Sequence, residues 1–350
     1  METTTRFTID ELSPKYLNQP ERFNDWYFTV HFVHEGQPCL AKFSITEGSL
    51  LGQTAQLTFS RDPLHLAEEP DATVLHPSVR DISLVEDGGH FAYSVAEDEV
   101  RIEMGSLTAI CRPDQQRIIS SNQTLGADLT CTPRGPVLHW KHAAGAVCQV
   151  TEVTRVSGSE SLSDVRGTLT INGQTIPVEG RGLFERVWFS ALNFFEIRAM
   201  NWIYAHFDEL YVYICHCESV TSESRPFHFE TGETYLVAGD DFMAANSLEV
   251  TPESWVYLAQ ARRFIPLEQN VVVRTDRGTL RLRTRLAHYP LLAQDPVRLE
   301  GLTIDNIAGW TSLFYDAPIA LKGTFTYADG RVVQLAGGVG INEQIRISAL

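Results

Sequence analysis

No stretch of twelve or more residues in this 350-residue chain carries a convincing 3.6-residue apolar period. A chain of this length must still bury a core to offset its conformational entropy, and strands are the remaining way to do so. Short apolar or alternating runs recur throughout, among them Asp25–Val33, Cys39–Ile45, Ala55–Phe59, Phe91–Val95, Val100–Met104, Gly167–Ile171, Val271–Thr275 and Thr279–Thr284. Turn residues separate them. Asn172-Gly173 is the strongest hairpin signal, and Asp276-Arg277-Gly278 and Asp329-Gly330 are further ones. The pattern predicts an all-β chain built as a sandwich or barrel. Residues 1–25 read as an irregular lead-in, and 60–80 and 286–300, with prolines throughout, as irregular connections.

Two segments echo one another. GTLTINGQTIPVEGRGLFE (167–185) and GTFTYADGRVVQLAGGVGINE (323–343) each run strand, turn, strand, Gly-x-Gly and then an acid, Glu185 or Glu343. Two tandem antiparallel β-barrels, residues 1–190 and 191–350, suit the size of a domain better than one very large sheet.

Gly180–Glu218 is the richest mixture of aromatic, ionisable and turn residues. A tight turn at Asp208-Glu209 sets Phe207 opposite Leu210, His206 opposite Tyr211, Tyr204 opposite Tyr213 and Trp202 opposite Cys215. Side chains alternate across a strand. One face then carries Ile203, Ala205, Phe207, Leu210, Val212 and Ile214, an ordinary core face. The other carries Trp202, Tyr204, His206, Tyr211, Tyr213 and Cys215, an apolar body with polar tips, as in the wall of a ligand cavity. Large aromatics that simply pack well in strands would give the same composition.

Hydrophobic residues make up 43% and charged residues 21%, and the net charge is −16. A surface this acidic repels phosphate backbones and anionic lipid heads, so neither nucleic acid nor a membrane surface is an expected partner. No apolar run reaches the length needed to span a bilayer, and no basic-then-apolar leader opens the chain. Cys39, Cys111, Cys131, Cys148, Cys215 and Cys217 show neither CxxC pairing nor zinc-finger spacing, and read as reduced, buried thiols of a cytoplasmic protein. Phosphate-binding loops, dinucleotide fingerprints, nucleophile elbows and HExxH are all missing. The His31/His34 and His139/His142 pairs would point to opposite faces of a strand, a poor arrangement for joint metal ligation. No metal and no cofactor is expected.

Val178–Phe189, VEGRGLFERVWF, resembles the G-x-G-[YF]-x-D-H-x-W-G segment of the carotenoid 1,2-hydratase (hydroxyneurosporene synthase) superfamily. NWIYAHFDELYVYIC is similar to that family's aromatic hairpin, and FYDAPIALKGTFTYADGRVVQLAGGVGINE to its closing segment. The family includes carotenoid hydratases and lipocalin-type Diels–Alderases of polyketide biosynthesis. The resemblance implies two tandem lipocalin-like barrels. It also implies a cofactor-free site acting on a polyene in a greasy cavity near the interdomain contact. Two departures bear on the chemistry. Glu185-Arg186-Val187-Trp188 stands where the family has Asp-His-x-Trp, so Arg186 replaces the histidine. Cys215 stands where an acid follows the hairpin tyrosine, matched here by Tyr213, and a thiol does not readily protonate an alkene. Hydration of a carotenoid is therefore disfavoured relative to another reaction on a related substrate.

Glu185 and Arg186 are adjacent, so on a strand only one of them can look into a cavity. Either one forms a structural ion pair, or Glu185 acts as a general acid or base from an apolar pocket. Tyr204, Tyr213 and His206 would then orient a carbonyl or share a proton. Trp188 and Trp202, with Tyr204, Tyr211 and Cys215, would shape the wall, and the indole faces would stabilise a developing cation. The expected function is a cofactor-independent cyclase, isomerase or hydro-lyase acting on a hydrophobic polyene, terpenoid or polyketide-like partner of secondary metabolism. A lipocalin-type binding protein for such a molecule is the alternative, and a structural factor with two barrels a third.

Overall fold

The turn sequences decide where the chain doubles back. In the computed structural model Asn172 and Gly173 both take positive φ, 51° and 81°, the pair of left-handed residues that a two-residue hairpin needs to match strand twist. The structure describes residues 6–20, 22–48, 52–64, 81–87, 90–150, 153–191, 197–220, 226–228, 234–239, 241–258, 263–287, 298–299, 302–303 and 310–349. Most of the two stretches read as irregular connections, 60–80 and 286–300, lies outside these. The described residues gather into two compact units. One holds those up to Asp62 and from Asp81 to Ala191, the other those from Ile197 to Ala287 and from Trp310 to Ala349. Among the described residues no helix is long and apolar enough to cross a membrane.

The first unit contains β1 (Phe23–His34), β2 (Gln37–Gly48), β3 (Gly52–Arg61), β4 (Asp81–Asp87), β5 (Phe91–Val95), β6 (Val100–Met104) and β7 (Leu107–Arg112). It continues with β8 (Gln115–Ser120), β9 (Leu125–Pro133), β10 (Leu138–His139), β11 (Cys148–Gln149), β12 (Arg155–Ile171) and β13 (Gln174–Ala191). These form one sheet ordered β4-β3-β2-β1-β13-β12-β9-β8-β7-β6-β5, with β10 and β11 also pairing to β12. Its end strands are not paired with each other among the described residues. Ser106, in the β6–β7 turn, reaches across and donates its Oγ to Glu86 of β4 at 2.7 Å. Trp26, Phe28, Val30 and Phe32 alternate along β1 onto one face and join Phe43, Ile45, Leu57 and Phe59 in a single core. The lead-in is less irregular than its composition suggests. Thr8 and Glu11 form a reciprocal capping box around α1 (Ile9–Leu12). Phe7 sets its ring edge-on to Phe184 at 5.0 Å, and Trp26 Nε1 donates to the Leu12 carbonyl at 2.9 Å.

The second unit contains β14 (Ile197–His206), β15 (Tyr211–Val220), β16 (Pro226–His228), β17 (Tyr235–Ala238), β18 (Asp241–Leu258), β19 (Arg263–Thr275) and β20 (Gly278–Leu286). Two short strands, β21 (Arg298–Leu299) and β22 (Leu302–Thr303), lie outside both large sheets and pair with each other; the second unit goes on with β23 (Trp310–Tyr327), β24 (Val332–Leu335) and β25 (Val339–Ala349). Eight of these strands form a ring, β14-β25-β23-β20-β19-β18-β17-β15, and β15 pairs with β14 to close it. Closure removes the exposed strand edges that an open sheet must protect. Ile203, Val212, Leu236, Val271, Leu280 and Phe325 belong to the core of this barrel. Three buried amides cross it in a chain, Asn342 Nδ2 donating to Gln269 Oε1 at 2.9 Å and Gln269 Nε2 to Asn201 Oδ1 at 3.3 Å.

Candidate active site

The β14–β15 hairpin has the register that a turn at Asp208-Glu209 sets. Trp202 pairs with Cys215, Tyr204 with Tyr213 and His206 with Tyr211, and Phe207 N–H donates to the Leu210 carbonyl across the turn at 2.9 Å. Ile203, Ala205, Phe207, Leu210, Val212 and Ile214 all enter the barrel core. The opposite face collects Trp202, Tyr204, His206, Tyr211, Tyr213 and Cys215. Although it turns away from the core of its own barrel, Tyr213 and Cys215 are completely buried. Trp202 Nε1 donates to the Tyr213 hydroxyl, which directs the phenol's own proton away from the indole. Tyr213 stacks on Tyr235 of β17 at 4.9 Å, and His206 lies between Tyr204 (5.7 Å) and Tyr211 (4.9 Å). The Cys217 side chain lies outside the described ones; the other five cysteines are buried and form no disulfide. Burial pushes the Cys131 thiol up to about 12, a poor acid and a poor nucleophile at neutral pH.

Glu185 and Arg186 point to opposite faces of β13, as adjacent residues on a strand must. Arg186 pairs with Trp26 and Ser159, and Glu185 with Tyr27 and Glu160. Arg186 is fully buried. Its Nη1 donates to the carbonyls of Val187 (2.5 Å) and Asp25 (3.2 Å), and its Nη2 to the Ser13 carbonyl (2.9 Å) and Asn24 Oδ1 (2.6 Å). The guanidinium lies 4.1 Å from the Trp26 ring centroid and 5.1 Å from that of Trp188. Burial draws its pKa down to about 9 against the opposing pull of Asp25, Glu47 and Glu11, so it stays charged at neutral pH. This fork ties the lead-in to the sheet. Six of the nine sequence candidates thus share the hairpin face in the second unit. Arg186 and Trp188 share the inner face of the first unit's sheet, and Glu185 lies on that sheet's reverse side.

The reverse side holds a residue that sequence reading passed over. Glu160 of β12 stands directly opposite Glu185, and the two carboxyl residues are 0% and 9% exposed. Leu162 and Leu183 form the next pair along, and Leu138 of β10 flanks Glu160 on its other side. The Trp140 ring fills the space that a side chain at Gly158, one pair before, would occupy. Glu160 sits in the serine-rich run SGSESLSD, which lacks the apolar alternation that marks a strand. Sequence reading also passed over Glu11 and Ser159, and weighed His139 only as a metal ligand. Glu11 Oε1 lies 2.8 Å from His139 Nδ1 and accepts from Ser159 Oγ at 2.8 Å. His139 Nδ1 is in turn 2.9 Å from Ser159 Oγ.

The echo between the two segments is structural. Glu185 follows Gly182 by three residues and pairs with Tyr27; Glu343 follows Gly340 by three and pairs with Trp202. A Cβ at Gly182 would collide with the Thr29 carbonyl oxygen, and one at Gly340 with that of Tyr204. Both positions therefore exclude a side chain for the same reason.

Neither a protein-family model nor a curated protein matches the chain. Solved structures do. Kievitone hydratase from Nectria haematococca aligns over 99% of this chain and 94% of its own, with a TM-score of 0.66 and 12% identity. A protein from Nitrosomonas europaea provisionally assigned as AttH aligns over 98% and 97%, with a TM-score of 0.61 and 13% identity. CghA aligns over 94% and 89%, with a TM-score of 0.61 and 10% identity. The chain therefore has the fold of these proteins, an all-β chain of two tandem lipocalin-like barrels, as its resemblance to the carotenoid 1,2-hydratase superfamily implies.

Proposed function

We propose that the protein is a cofactor-independent enzyme, a cyclase, isomerase or hydro-lyase, acting on a hydrophobic unsaturated molecule of the polyene, terpenoid or polyketide-like class. The observation that carries this reading is the reverse face of the β14–β15 hairpin, where six polar-tipped or aromatic side chains are gathered on the side turned away from the barrel core. The first structural neighbour is named as a hydratase, which supports an enzyme over a carrier. The substrate wall is assigned to Trp202, Tyr204, Tyr211, Tyr213 and Cys215, with His206 and Tyr213 as hydrogen-bonding groups. Glu185, on the first unit's sheet, is a separate candidate for proton transfer. Arg186 and Trp188, bound to each other and to the lead-in, hold β13 in place.

The two assignments are tested separately. The protein is incubated with a panel of polyenes and polyketide-like olefins, and products are separated by chromatography. Glu185→Gln is expected to lower turnover by a factor of roughly 10²–10⁴ with substrate binding retained, the range for loss of a general acid. Tyr213→Phe and His206→Ala are expected to weaken binding, read as reduced quenching of tryptophan fluorescence. Unchanged turnover in all three variants would remove the site assignment. Binding without turnover across the panel would favour a carrier.

A further inference from the structure

We propose that the first unit carries a small-molecule site of its own, at the end of its sheet where β12 turns into β13, and that this site takes an apolar molecule ending in an uncharged hydroxyl or carbonyl oxygen. A cavity of about 470 Å³ opens there, lined by Gln37, Phe59, Arg61, Asp62, Ile82 and Ile171. That volume lies within the roughly 300–1,000 Å³ typical of small-molecule sites. Neither Glu185 nor any residue of the β14–β15 hairpin lines it, so the site stands independently of the function proposed above. Ile82 of β4 and Ile171 of β12 are five strands apart in the sheet order. A cavity that both of them line is wrapped by the curl of the sheet, not scooped from one flat surface.

Strand alternation accounts for the lining. Phe28, Val30 and Phe32 mark the core-facing side of β1. Along the ladders Val30 pairs with Ala41, Ala41 with Phe59 and Phe59 with Ile82. Phe32 pairs with Cys39 and Cys39 with Arg61, and His34 pairs with Gln37. Phe59 and Ile82 thus share one level of the inner face, Arg61 stands on the next, and Gln37 takes the last inner position of β2. The face passes from an apolar floor to a polar collar. Ile82 and Ile171 pack on the core yet are only partly buried. An apolar ligand would cover the surface they leave open. The rim is already braced. Asp62 N–H donates to the Pro38 carbonyl at 2.8 Å, and the Asn172 and Gly173 N–H groups donate to the carbonyls of Thr124 (2.8 Å) and Gln123 (2.9 Å). A preformed rim spares a ligand the cost of ordering it.

The collar selects the polar end of the ligand. The Arg61 side chain is 45% exposed, and Glu35, its ion-pair partner among the described residues, lies 3.7 Å away, beyond hydrogen-bond reach. An exposed pair of this kind contributes little, so the guanidinium N–H groups are available to an acceptor oxygen. Its charge does not call for an anion. Glu35 at that distance and Asp62 in the lining set two negative charges beside it. A ligand carboxylate would enter against both, and a ligand ammonium would meet Arg61 itself. A hydroxyl or carbonyl oxygen accepts the same N–H bonds without either repulsion.

The test titrates the whole protein with n-decanol, decanoate and decylammonium. Isoleucine δ-methyl NMR signals report the binding, those of Ile82 and Ile171 being assigned through I82V and I171V. Decanol is expected to shift both signals, and the two charged probes to bind at least about tenfold more weakly. R61M is expected to weaken decanol binding about tenfold or more, as for loss of a hydrogen bond to a charged group. I82W fills the cavity and is expected to abolish binding. If either variant does not fold by circular dichroism, the wild-type titrations decide. Ile82 and Ile171 signals that stay still under decanol overturn the site. Decanoate or decylammonium binding as tightly as decanol overturns the uncharged end, and decanol binding unchanged in R61M overturns the selecting role of Arg61.

Discussion

At the scale of single residues, Arg186 shows how a functional-looking side chain is committed to structure. Standing where the carotenoid 1,2-hydratase segment it resembles has a histidine, it invites a catalytic role. Its four hydrogen bonds and two indole faces instead make it the hub that ties Ser13, Asn24 and Asp25 to β13. Removing one partner of such a buried network leaves the others desolvated and unpaired. Arg186→Met is therefore expected to destabilise the fold by about 3–5 kcal/mol, measured by denaturant unfolding. Arg186→Lys keeps the charge but not the planar fork, and is expected to recover only part of that loss. A variant as stable as the wild type would contradict the hub role. None of this was legible locally. The partners of Arg186 lie more than 160 residues away in sequence for three of its four bonds.

At the scale of elements, the β14–β15 hairpin and β12 make a contrast. The hairpin's register and both its faces follow from alternation and a two-residue turn, because strand pairing there is local. β12 runs through SGSESLSD, which carries no strand signal because its residues are small and polar. Yet Ser157, Ser159 and Ser161 are buried opposite Trp188, Arg186 and Phe184. Small side chains are needed there so that the large ones across the ladder can pack. β18 carries a weak local strand signal for a related reason. Asn246, Pro252 and Ser254 interrupt its pattern, and its pairing with β19 shifts register at Ala245/Ser247, Pro252/Ser254 and Ser254/Trp255. The repeated Gly-x-Gly segments yield a prediction at this scale. Gly182→Ala and Gly340→Ala occupy matching places in the two units and are each expected to cost about 1–3 kcal/mol by overpacking. Comparable losses of thermal stability would verify the equivalence, and a large loss in only one would break it.

At the scale of the whole molecule, acidic groups in both units couple stability to pH. Glu11 is subject first to burial, which pushes its pKa up, but the hydrogen bond and charge of His139, with Thr8 and Ser159, outweigh it and hold the carboxyl below its ordinary value. In the second unit burial likewise acts against Glu268, and Arg285, Ser254 and Arg283 prevail to lower it. A folded pKa below the unfolded one means the ionised form is bound more tightly in the native state. The resulting stability is present above the ordinary carboxylate range and disappears as pH falls through the folded value. Thermal melts from pH 7 down to 3 should therefore show a falling midpoint. Glu11→Gln is expected to cost about 1.5–3 kcal/mol at pH 7, as for loss of a charge-assisted hydrogen bond, and to flatten the acid limb. An acid limb that keeps its slope would show that Glu11 contributes none of it.

Sequence alone determined the strand-rich character of the chain, its turns and the two faces of one hairpin. All of these rest on alternation and turn chemistry that act over a few residues. Tertiary structure alone decided that Arg186 is a hub and that the lead-in anchors a core. It also brought Glu160 from a serine-rich run to face Glu185. Which side chains meet across β12 and β13 depends on how many residues each strand contributes before pairing. That count is settled by the packing of the whole sheet, which no local pattern records.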